Sequence, residues 1–286
     1  TQKLFLAIER LKSRGLAIVF ISHALEEVQQ VADRIAVIRD GQLVRVAEKN
    51  DWDTNSMIAA MVGRSIEDLY PKRNAIDLLR DLVEGNDEPV TLVPVAPLTN
   101  IANFITTYPE SAKKLKEICL MGGSASVGNA TAMAEFNIWH DPEAADIVFK
   151  SGIPITMYGL DVFYHPLVTE AEAVRLSESP QASAQFAGKL LQSSIKRLKQ
   201  SVTLGDYGAV AAVIRPSLIK CETFDVGVEV APGLVRGMTV VDRRPRLELM
   251  IEPRRIPGAA RTRVVLDLDA EGFRQLWFKT VDSSWS

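Results

Sequence analysis

The sequence is poor in the residue types on which several protein classes depend. Its 286 residues include two cysteines and three histidines, too few for the disulfide framework of a small secreted domain. Its apolar runs, such as Leu16–Ile21 and Val90–Val95, fall far short of the roughly 20 residues that a membrane-spanning helix needs. Cys119 lies inside the apolar run Ile118–Met121, which favours a small buried side chain.

An excess of charge of one sign is also missing. The 33 Lys and Arg residues against 36 Asp and Glu residues give a formal net charge of −3 at pH 7, so no broad positive field attracts nucleic acid or an anionic membrane. No basic and apolar leader opens the sequence at Thr1. We therefore predict a cytoplasmic protein with no nucleic-acid partner and no direct membrane insertion. The 47% hydrophobic content is enough for one large domain or two ordinary ones.

Helical and strand-like segments alternate along the chain in two stretches. Residues 1–73 predict helices, a strand at Leu16–Ile21 and a β-hairpin turning at Asp40-Gly41. From Ala75 the alternation begins again, with a helix predicted at Ala75–Glu84 and strands at Val90–Pro94 and Ile155–Leu160, and it continues through the last helix. We therefore predict two parts, 1–73 and 74–286, and an α/β fold with a largely parallel sheet covered by helices on both faces. Ligands of such sheets bind at the carboxyl ends of the strands.

The N-terminal stretch carries one set of motifs. It contains Ile18-Val19-Phe20-Ile21-Ser22-His23, followed by Ala32-Asp33-Arg34-Ile35-Ala36-Val37-Ile38-Arg39-Asp40-Gly41. This pattern resembles the C-terminal end of a sugar-importer ABC-transporter ATPase, and the resemblance implies that His23 is the switch histidine that reaches the γ-phosphate of ATP. ATP hydrolysis also needs a G-x-x-x-x-G-K-[ST] phosphate loop, and the sequence contains none. We therefore expect His23 to be vestigial and residues 1–73 to be a partial ATPase segment.

Several short blocks follow one another in residues 75–286. They are Leu92–Asn100, Met121–Gly123, Gly128-Asn129, Ala134–Trp139, Asp141–Ala145 and Gly159–Val162. In order and spacing they resemble the inosine-uridine nucleoside hydrolases, without the first strands of that family. The resemblance implies a nucleoside-hydrolase fold with a Rossmann-like core. It also implies a hydrolase of nucleoside catabolism that uses Ca²⁺ to cleave the N-glycosidic bond of purine or pyrimidine ribonucleosides, giving ribose and free base.

The same resemblance assigns the residues that bind the sugar. Asn129, Glu135 and Asn137 match family residues that hydrogen-bond the ribose hydroxyls, and amides suit this task because they both donate and accept. Met121 matches a residue that packs beneath the sugar. The residues alone leave two alternatives open: Met121 is a core methionine, and Glu135 with Asn137 forms a cap between a loop and a helix.

The resemblance implies only part of the metal site and of the acid. Val95 matches the position whose backbone carbonyl binds calcium, and Asp206 matches an aspartate that binds both metal and ribose. The family's remaining ligands and its water-activating base lie in an Asp-x-Asp-x-Gly-x-Asp-Asp cluster that this sequence does not contain, although Ca²⁺ takes 6–8 oxygen ligands. Gly205 occupies the position of a histidine that can protonate the departing base.

A few other residues are candidates to complete the site. Asp51 and Asp53 could supply metal ligands, and Tyr207 or His165 could supply the acid, although nothing in the sequence places them there. Asp269 resembles part of a calcium loop but is better interpreted as a helix N-cap.

The sequence as a whole predicts a chimera joined near Asn74. Its function by family is ribonucleoside hydrolysis. The alternative is a catalytically dead scaffold with at most weak ribose binding. Base preference and any homo-oligomer stay open.

Overall fold

A computed structural model describes residues 10–20, 25–39, 42–62, 74–245 and 256–285, together with residues 5 and 8. Contacts divide the chain into two units, residues 1–73 and residues 74–286, and each is described here by itself. In the described ranges no helix combines the length and apolar character that a bilayer crossing requires. His23, the turn at Asp40-Gly41 and the segment 63–73 lie outside the described residues.

The first unit is a β-hairpin packed against helices. Its elements are the helices α1 (Leu25–Val31) and α2 (Thr54–Val62), a short 3-10 helix (Lys49–Asp51) and the antiparallel strands β1 (Arg34–Arg39) and β2 (Gln42–Glu48). Ile35 and Val37 alternate along β1 and are buried with Trp52 and Met57. The antiparallel pairing of β1 with β2 confirms the predicted hairpin. Its buried apolar residues share one face of β1, because side chains alternate between the two faces of a strand.

The strand predicted at Leu16–Ile21 is wrong over the described residues 16–20. These residues belong to neither a strand nor a helix, and the side chains of Leu16, Ile18 and Val19 are 54%, 38% and 89% exposed. Among the described residues, the sheet of β1 and β2 contains two strands. β-Propensity alone did not produce a strand, because a strand also needs a neighbouring edge and a surface to pack on.

The second unit is built on a six-stranded sheet. Its strands are β3 (Thr91–Leu92), β4 (Glu117–Met121), β5 (Ile155–Tyr158), β8 (Ile219–Val228), β9 (Thr239–Val241) and β10 (Ala260–Leu268), in the order β3-β4-β5-β10-β8-β9. Two further strands, β6 (Leu167–Val168) and β7 (Val202–Thr203), form an antiparallel pair. The predicted α/β fold is confirmed. Its parallel part is β3-β4-β5-β10, and β8 and β9 are antiparallel additions.

Helices cover both faces of this sheet. They are α3 (Ala75–Glu84), α4 (Thr99–Thr107), α5 (Pro109–Ala112), α6 (Phe136–His140), α7 (Pro142–Phe149), α8 (Leu160–Phe163), α9 (Glu170–Ser177), α10 (Ala182–Leu198), α11 (Tyr207–Ile214) and α12 (Ala270–Val281). Along β4, Ile118 and Leu120 belong to one buried cluster, whereas Cys119 and Met121 belong to another. Alternate residues of one strand therefore face two different cores, as expected of a sheet that is covered on both sides.

Two strand ends differ from the sequence-based prediction. The strand predicted at Val90–Pro94 is reduced to β3, and Pro94, which has no N–H to donate, contributes only its carbonyl, which accepts from Met121 N at 2.9 Å. The strand predicted to reach Leu160 ends at Tyr158, because Leu160 begins α8. The N-cap predicted at Asp269 is confirmed, since its Oδ1 accepts from Gly272 N at 2.9 Å.

Candidate functional site

The predicted sugar-binding residues lie near the carboxyl ends of β4 and β5. The two strands are parallel and adjacent, and the loops that follow them are bonded together. Gly122 N donates to Tyr158 O at 3.2 Å, and Leu160 N donates to Gly123 O at 2.9 Å. The loop 122–129 therefore starts from a fixed position at the strand ends, where ligands of parallel sheets bind.

Glu135 is buried next to the end of β4. Its side chain is the N-cap of α6 and accepts from Asn137 N at 3.0 Å and from Ile138 N at 3.3 Å, while Oε2 also accepts from Gly123 N at 3.0 Å. The interpretation of Glu135 as a helix cap therefore describes what its carboxylate does in this structure. The same carboxylate also ties the loop after β4 to the helix that carries Asn137.

The electrostatic environment of Glu135 brings in Asp206. Burial raises the pKa of Glu135, its backbone hydrogen bonds act in the opposite direction, and the negative charge of Asp206 raises it further. The carboxylates of Glu135 and Asp206 are therefore close enough to interact. Asp206 directly precedes α11 and is exposed, and partial burial of its carboxyl raises its pKa as well.

Asn137 and Met121 are in direct contact. Asn137 Nδ2 donates to Met121 O at 3.0 Å and lies 3.4 Å from Met121 Sδ. Met121 is 3% exposed and packs with Tyr158 in the core on one face of the sheet. Met121 is thus a core residue, as the sequence allowed, and it also supports the amide of Asn137.

Asn129 is fixed by a single side-chain contact. Its Oδ1 accepts from Phe136 N at 2.8 Å, while the residue itself is exposed. Among the residues that the structure describes, no hydrogen bond uses Asn129 Nδ2, Asn137 Oδ1 or the Asp206 carboxylate. The site therefore offers one amide donor group, one amide acceptor and one carboxylate, a combination that suits a ligand rich in hydroxyl groups.

The position before Asp206 has no room for a side chain. Gly205 has a positive φ of 37°, and a Cβ built on it would lie 2.5 Å from Phe163 Cζ. A histidine at this position would require both the ring of Phe163 and the backbone to move.

Neither Tyr207 nor His165, the alternative acids proposed from the sequence, makes a described side-chain hydrogen bond to Asn129, Asn137 or Asp206. Burial raises the pKa of Tyr207 to about 12, and its hydroxyl has no partner among the described residues. His165 is exposed, and it adds to the effect of Lys220 in lowering the pKa of Asp267. His140 stacks on Phe136 with ring centroids 5.5 Å apart.

The described residues do not fit a calcium ion. Across the described ranges, no group of three or more His, Cys, Asp and Glu side chains could hold a metal. Asp206 and the carbonyl of Val95 are too few for the 6–8 oxygen atoms that Ca²⁺ takes. Asp53 does not add a free ligand, because its Oδ1 accepts from Ser56 N at 2.6 Å at the start of α2.

One contribution to the site has no sequence-based prediction. Asp161, in the first turn of α8, accepts from Ala125 N at 2.8 Å and from Ser126 Oγ at 2.7 Å. Thr239 of β9 bonds both the N–H and the carbonyl of Ser124. Asp161 belongs to a block that the sequence analysis noted, and its place after a strand end was the available signal; nothing in the sequence singles out Thr239.

Comparisons with known proteins agree with this geometry. The family model described as inosine-uridine preferring nucleoside hydrolase matches residues 20–275, which begins earlier in the chain than the predicted resemblance. The pyrimidine-specific ribonucleoside hydrolase RihA of Shewanella sp. (strain MR-4) is 43% identical over 176 residues, covering 59% of this chain and 55% of that protein. RihA of Shewanella woodyi is 37% identical over 215 residues, covering 73% and 66%.

Solved structures give the same result. A purine-preferring ribonucleoside hydrolase from Gardnerella vaginalis has a TM-score of 0.64 at 29% identity, covering 73% of this chain and 66% of that one. A plant nucleoside hydrolase has a TM-score of 0.67 at 26% identity, covering 74% and 68%. The chain spans little more than half the length of the relatives from Shewanella sp. (strain MR-4). It belongs to the inosine-uridine preferring nucleoside hydrolase family.

Proposed function

We propose that residues 74–286 bind the ribose of a ribonucleoside at the candidate site, and that the site belongs to the hydrolysis of the N-glycosidic bond to ribose and free base. The observation that carries this proposal is the set of polar groups on Asn129, Asn137 and Asp206 that no described hydrogen bond uses. Asn129 contacts the start of α6, Asn137 lies in α6, and the charge of Asp206 acts on Glu135, which caps α6. A sugar with several hydroxyl groups satisfies such a mixed set of donors and acceptors better than an apolar or purely anionic ligand does.

Ribose binding alone does not break the bond. Cleavage develops positive oxocarbenium character on the sugar and needs an activated water and a protonated leaving group. Asp206 can stabilise the positive charge, but the Glu135 carboxylate already accepts three backbone N–H bonds as the cap of α6. Among the described residues no cluster could hold a metal that activates water, and Gly205 supplies no acid. We therefore expect this sequence to hold the sugar without turning it over, and no step is assigned to Ca²⁺.

Ribose binding is tested by ligand-observed NMR titration of ribose. We expect Asn129→Ala to weaken ribose binding about tenfold, because the loss of one hydrogen-bonding side chain is worth about 1.4 kcal/mol or less. Asn103→Ala is the matched control, since Asn103 is an exposed asparagine of α4 and no described hydrogen bond joins it to a residue of the candidate site. Equal affinities of the two variants would contradict the proposed site.

Turnover is tested by release of reducing sugar from uridine and inosine with excess Ca²⁺. We expect the rate to equal that of Asp206→Ala, because the remaining residues position a sugar but create no nucleophile. A clear turnover that depends on Asp206 would show that the water-activating carboxylates are supplied elsewhere, with Asp51 as the first residue to test.

The names of the relatives support a proposal about base preference. RihA proteins that are 37–43% identical carry pyrimidine-specific names, whereas the purine-preferring structure is 29% identical. We propose that uridine and cytidine bind more tightly than inosine, which NMR titration of each nucleoside measures. The cytoplasm is the proposed compartment, and a homo-oligomer is an open alternative that analytical ultracentrifugation decides.

Residues 1–73 have a separate proposed origin as the end of a sugar-importer ABC ATPase, with His23 as its vestigial switch histidine. The motifs on either side of His23 support this, as does the boundary between the two units after Arg73. A join between neighbouring importer and hydrolase genes would produce such a chain. Resequencing across the codons for Tyr70–Leu79 is the test, because two intact reading frames there would show that the join is an artefact.

A further inference from the structure

We propose that Asp161 is a positioning residue of the ribose site, which it serves by fixing the loop 122–129. This inference rests on the proposed ribose binding and adds a residue that contacts no ligand itself. The loop leads from Met121 to Asn129, two candidate sugar-binding residues, and the carboxylate of Asp161 holds its midpoint.

The two ends of the loop are fixed by separate contacts. At its start Gly123 N donates to Glu135 Oε2 at 3.0 Å, and at its end Asn129 N donates to Ala134 O at 3.1 Å. Between these points the chain has no regular structure. The position and orientation of Asn129 therefore depend on the contacts that hold residues 124–128.

Asp161 holds those residues with both of its carboxylate oxygens. Oδ2 accepts from Ala125 N at 2.8 Å, and Oδ1 accepts from Ser126 Oγ at 2.7 Å. Hydrogen bonds to an ionised group are shorter and stronger than neutral ones. Because the two bonds reach consecutive residues, they fix both the position and the orientation of this part of the loop.

A second contact supports the first. Thr239 Oγ1 donates to Ser124 O at 2.7 Å and accepts from Ser124 N at 2.8 Å. Ser124 Oγ in turn accepts from Ser126 N at 3.0 Å and from Val127 N at 3.1 Å. Residues 124–127 are thus organised by polar contacts from β9 and α8, with Asp161 supplying the only charged group among the contacts that the structure describes here.

These contacts contribute more to the position of the loop than to the core. Val127 at the outer part of the loop is 60% exposed, so the loop gains little free energy from apolar burial there. Replacing Asp161 should therefore disturb the placement of Asn129 more than it lowers the stability of the fold. A loss of one or two charge-assisted hydrogen bonds predicts about a tenfold weaker binding of ribose.

The test is a double-mutant cycle with ribose as the probe. Ribose affinity is measured by NMR titration for the full chain, Asp161→Asn, Asn129→Ala and the double variant, with hydrogen exchange of the Ala125 amide as the report on the loop. We expect Asp161→Asn to weaken binding about tenfold in the full chain and much less in the Asn129→Ala background, because the two residues act through one contact. Asp146→Asn is the control, since Asp146 pairs with Lys150 on α7 and should leave affinity unchanged.

The outcomes separate this inference from the proposed function. An unmodified chain that binds no ribose overturns the proposed function and the role of Asp161 together. Binding that Asp161→Asn leaves unchanged, or weakens by the same factor in both backgrounds, overturns the positioning role alone. If Asp161→Asn does not fold, Ser126→Ala replaces it in the cycle, because that change removes one of the two contacts from an exposed residue.

Discussion

At the scale of single residues, Gly205 restricts which side chains can stand next to Asp206. We expect Gly205→Ala to lower the free energy of unfolding by about 2–3 kcal/mol, because a positive φ and a contact with Phe163 are both unfavourable for a side chain. Gly152→Ala is the matched control: its φ is 78°, but nothing lies within 4 Å of the new Cβ. It should cost about 1 kcal/mol. Urea unfolding measures both, and equal losses would mean that the Phe163 ring moves aside freely.

Glu135 makes stability depend on pH in an unusual direction. Its pKa is raised in the folded state, chiefly by burial, so as the pH rises above about 4 the unfolded chain ionises before the folded one. Its contribution is fully present at low pH and is lost as the pH rises through the raised pKa. We therefore expect the full chain to lose stability relative to Glu135→Gln on going from pH 4 to pH 7.

Chemical unfolding at several pH values measures this difference. Glu110→Gln is the control, since Glu110 is exposed and pairs with Lys113, and its difference from the full chain should stay nearly constant. If the full chain instead gains stability relative to Glu135→Gln as the pH rises, the hydrogen bonds outweigh burial in setting the pKa of Glu135.

At this scale the sequence predicted candidate residues for the site and missed the contacts that support them. Asn129, Glu135 and Asn137 could be proposed because they lie in motif blocks, and Asp206 because it matches an aspartate of the family. The bond from Asp161 to Ala125 and the contact between Gly205 and Phe163 join residues about 40 positions apart. Periodicity and turn chemistry describe neighbours along the chain and carry no information about such pairs.

Among the elements, the helix α12 begins at an N-cap, Asp269, that the sequence predicted. We expect Asp269→Ala to lower stability by about 1 kcal/mol, because Gly272 N loses its acceptor, whereas Asp269→Asn should cost a few tenths because asparagine is an equally good N-cap. Thermal unfolding of the two variants gives the comparison. If both variants lose the same amount, the charge of Asp269 at the helix terminus matters more than its hydrogen bond.

Elements were predictable where local signals agreed with a surface to pack on. The helix α3 begins and ends where predicted, because Asn74 caps it, with Oδ1 accepting from Ile76 N at 2.9 Å, and Gly85 ends it. Residues 16–20 carry an equally clear apolar run but pair with no strand. The antiparallel direction of β8 was also unpredictable, because the sequence shows where a strand begins but not which neighbour it pairs with.

At the scale of the whole molecule, each hydrophobic core lies within one unit. The cluster around Trp52 uses residues of the first unit, and the clusters around Phe104, Tyr158 and Phe278 use residues of the second. We therefore expect calorimetry of the full chain to show two transitions, the larger of which a chain of residues 74–286 reproduces, because unfolding enthalpy scales with the number of ordered residues. A single transition that is lost in the shorter chain would show that the units stabilise each other.

The exposed run at residues 16–20 has a consequence for the behaviour of the chain in concentrated solution. Leu16-Ala17-Ile18-Val19-Phe20 has no charge and no proline, and Val19 is 89% exposed. Short uncharged segments of this kind are templates on which another copy can add a strand, and natural proteins usually block them with lysine or proline. We therefore expect these five residues, which lie outside the candidate site, to limit the concentration at which the protein stays in solution.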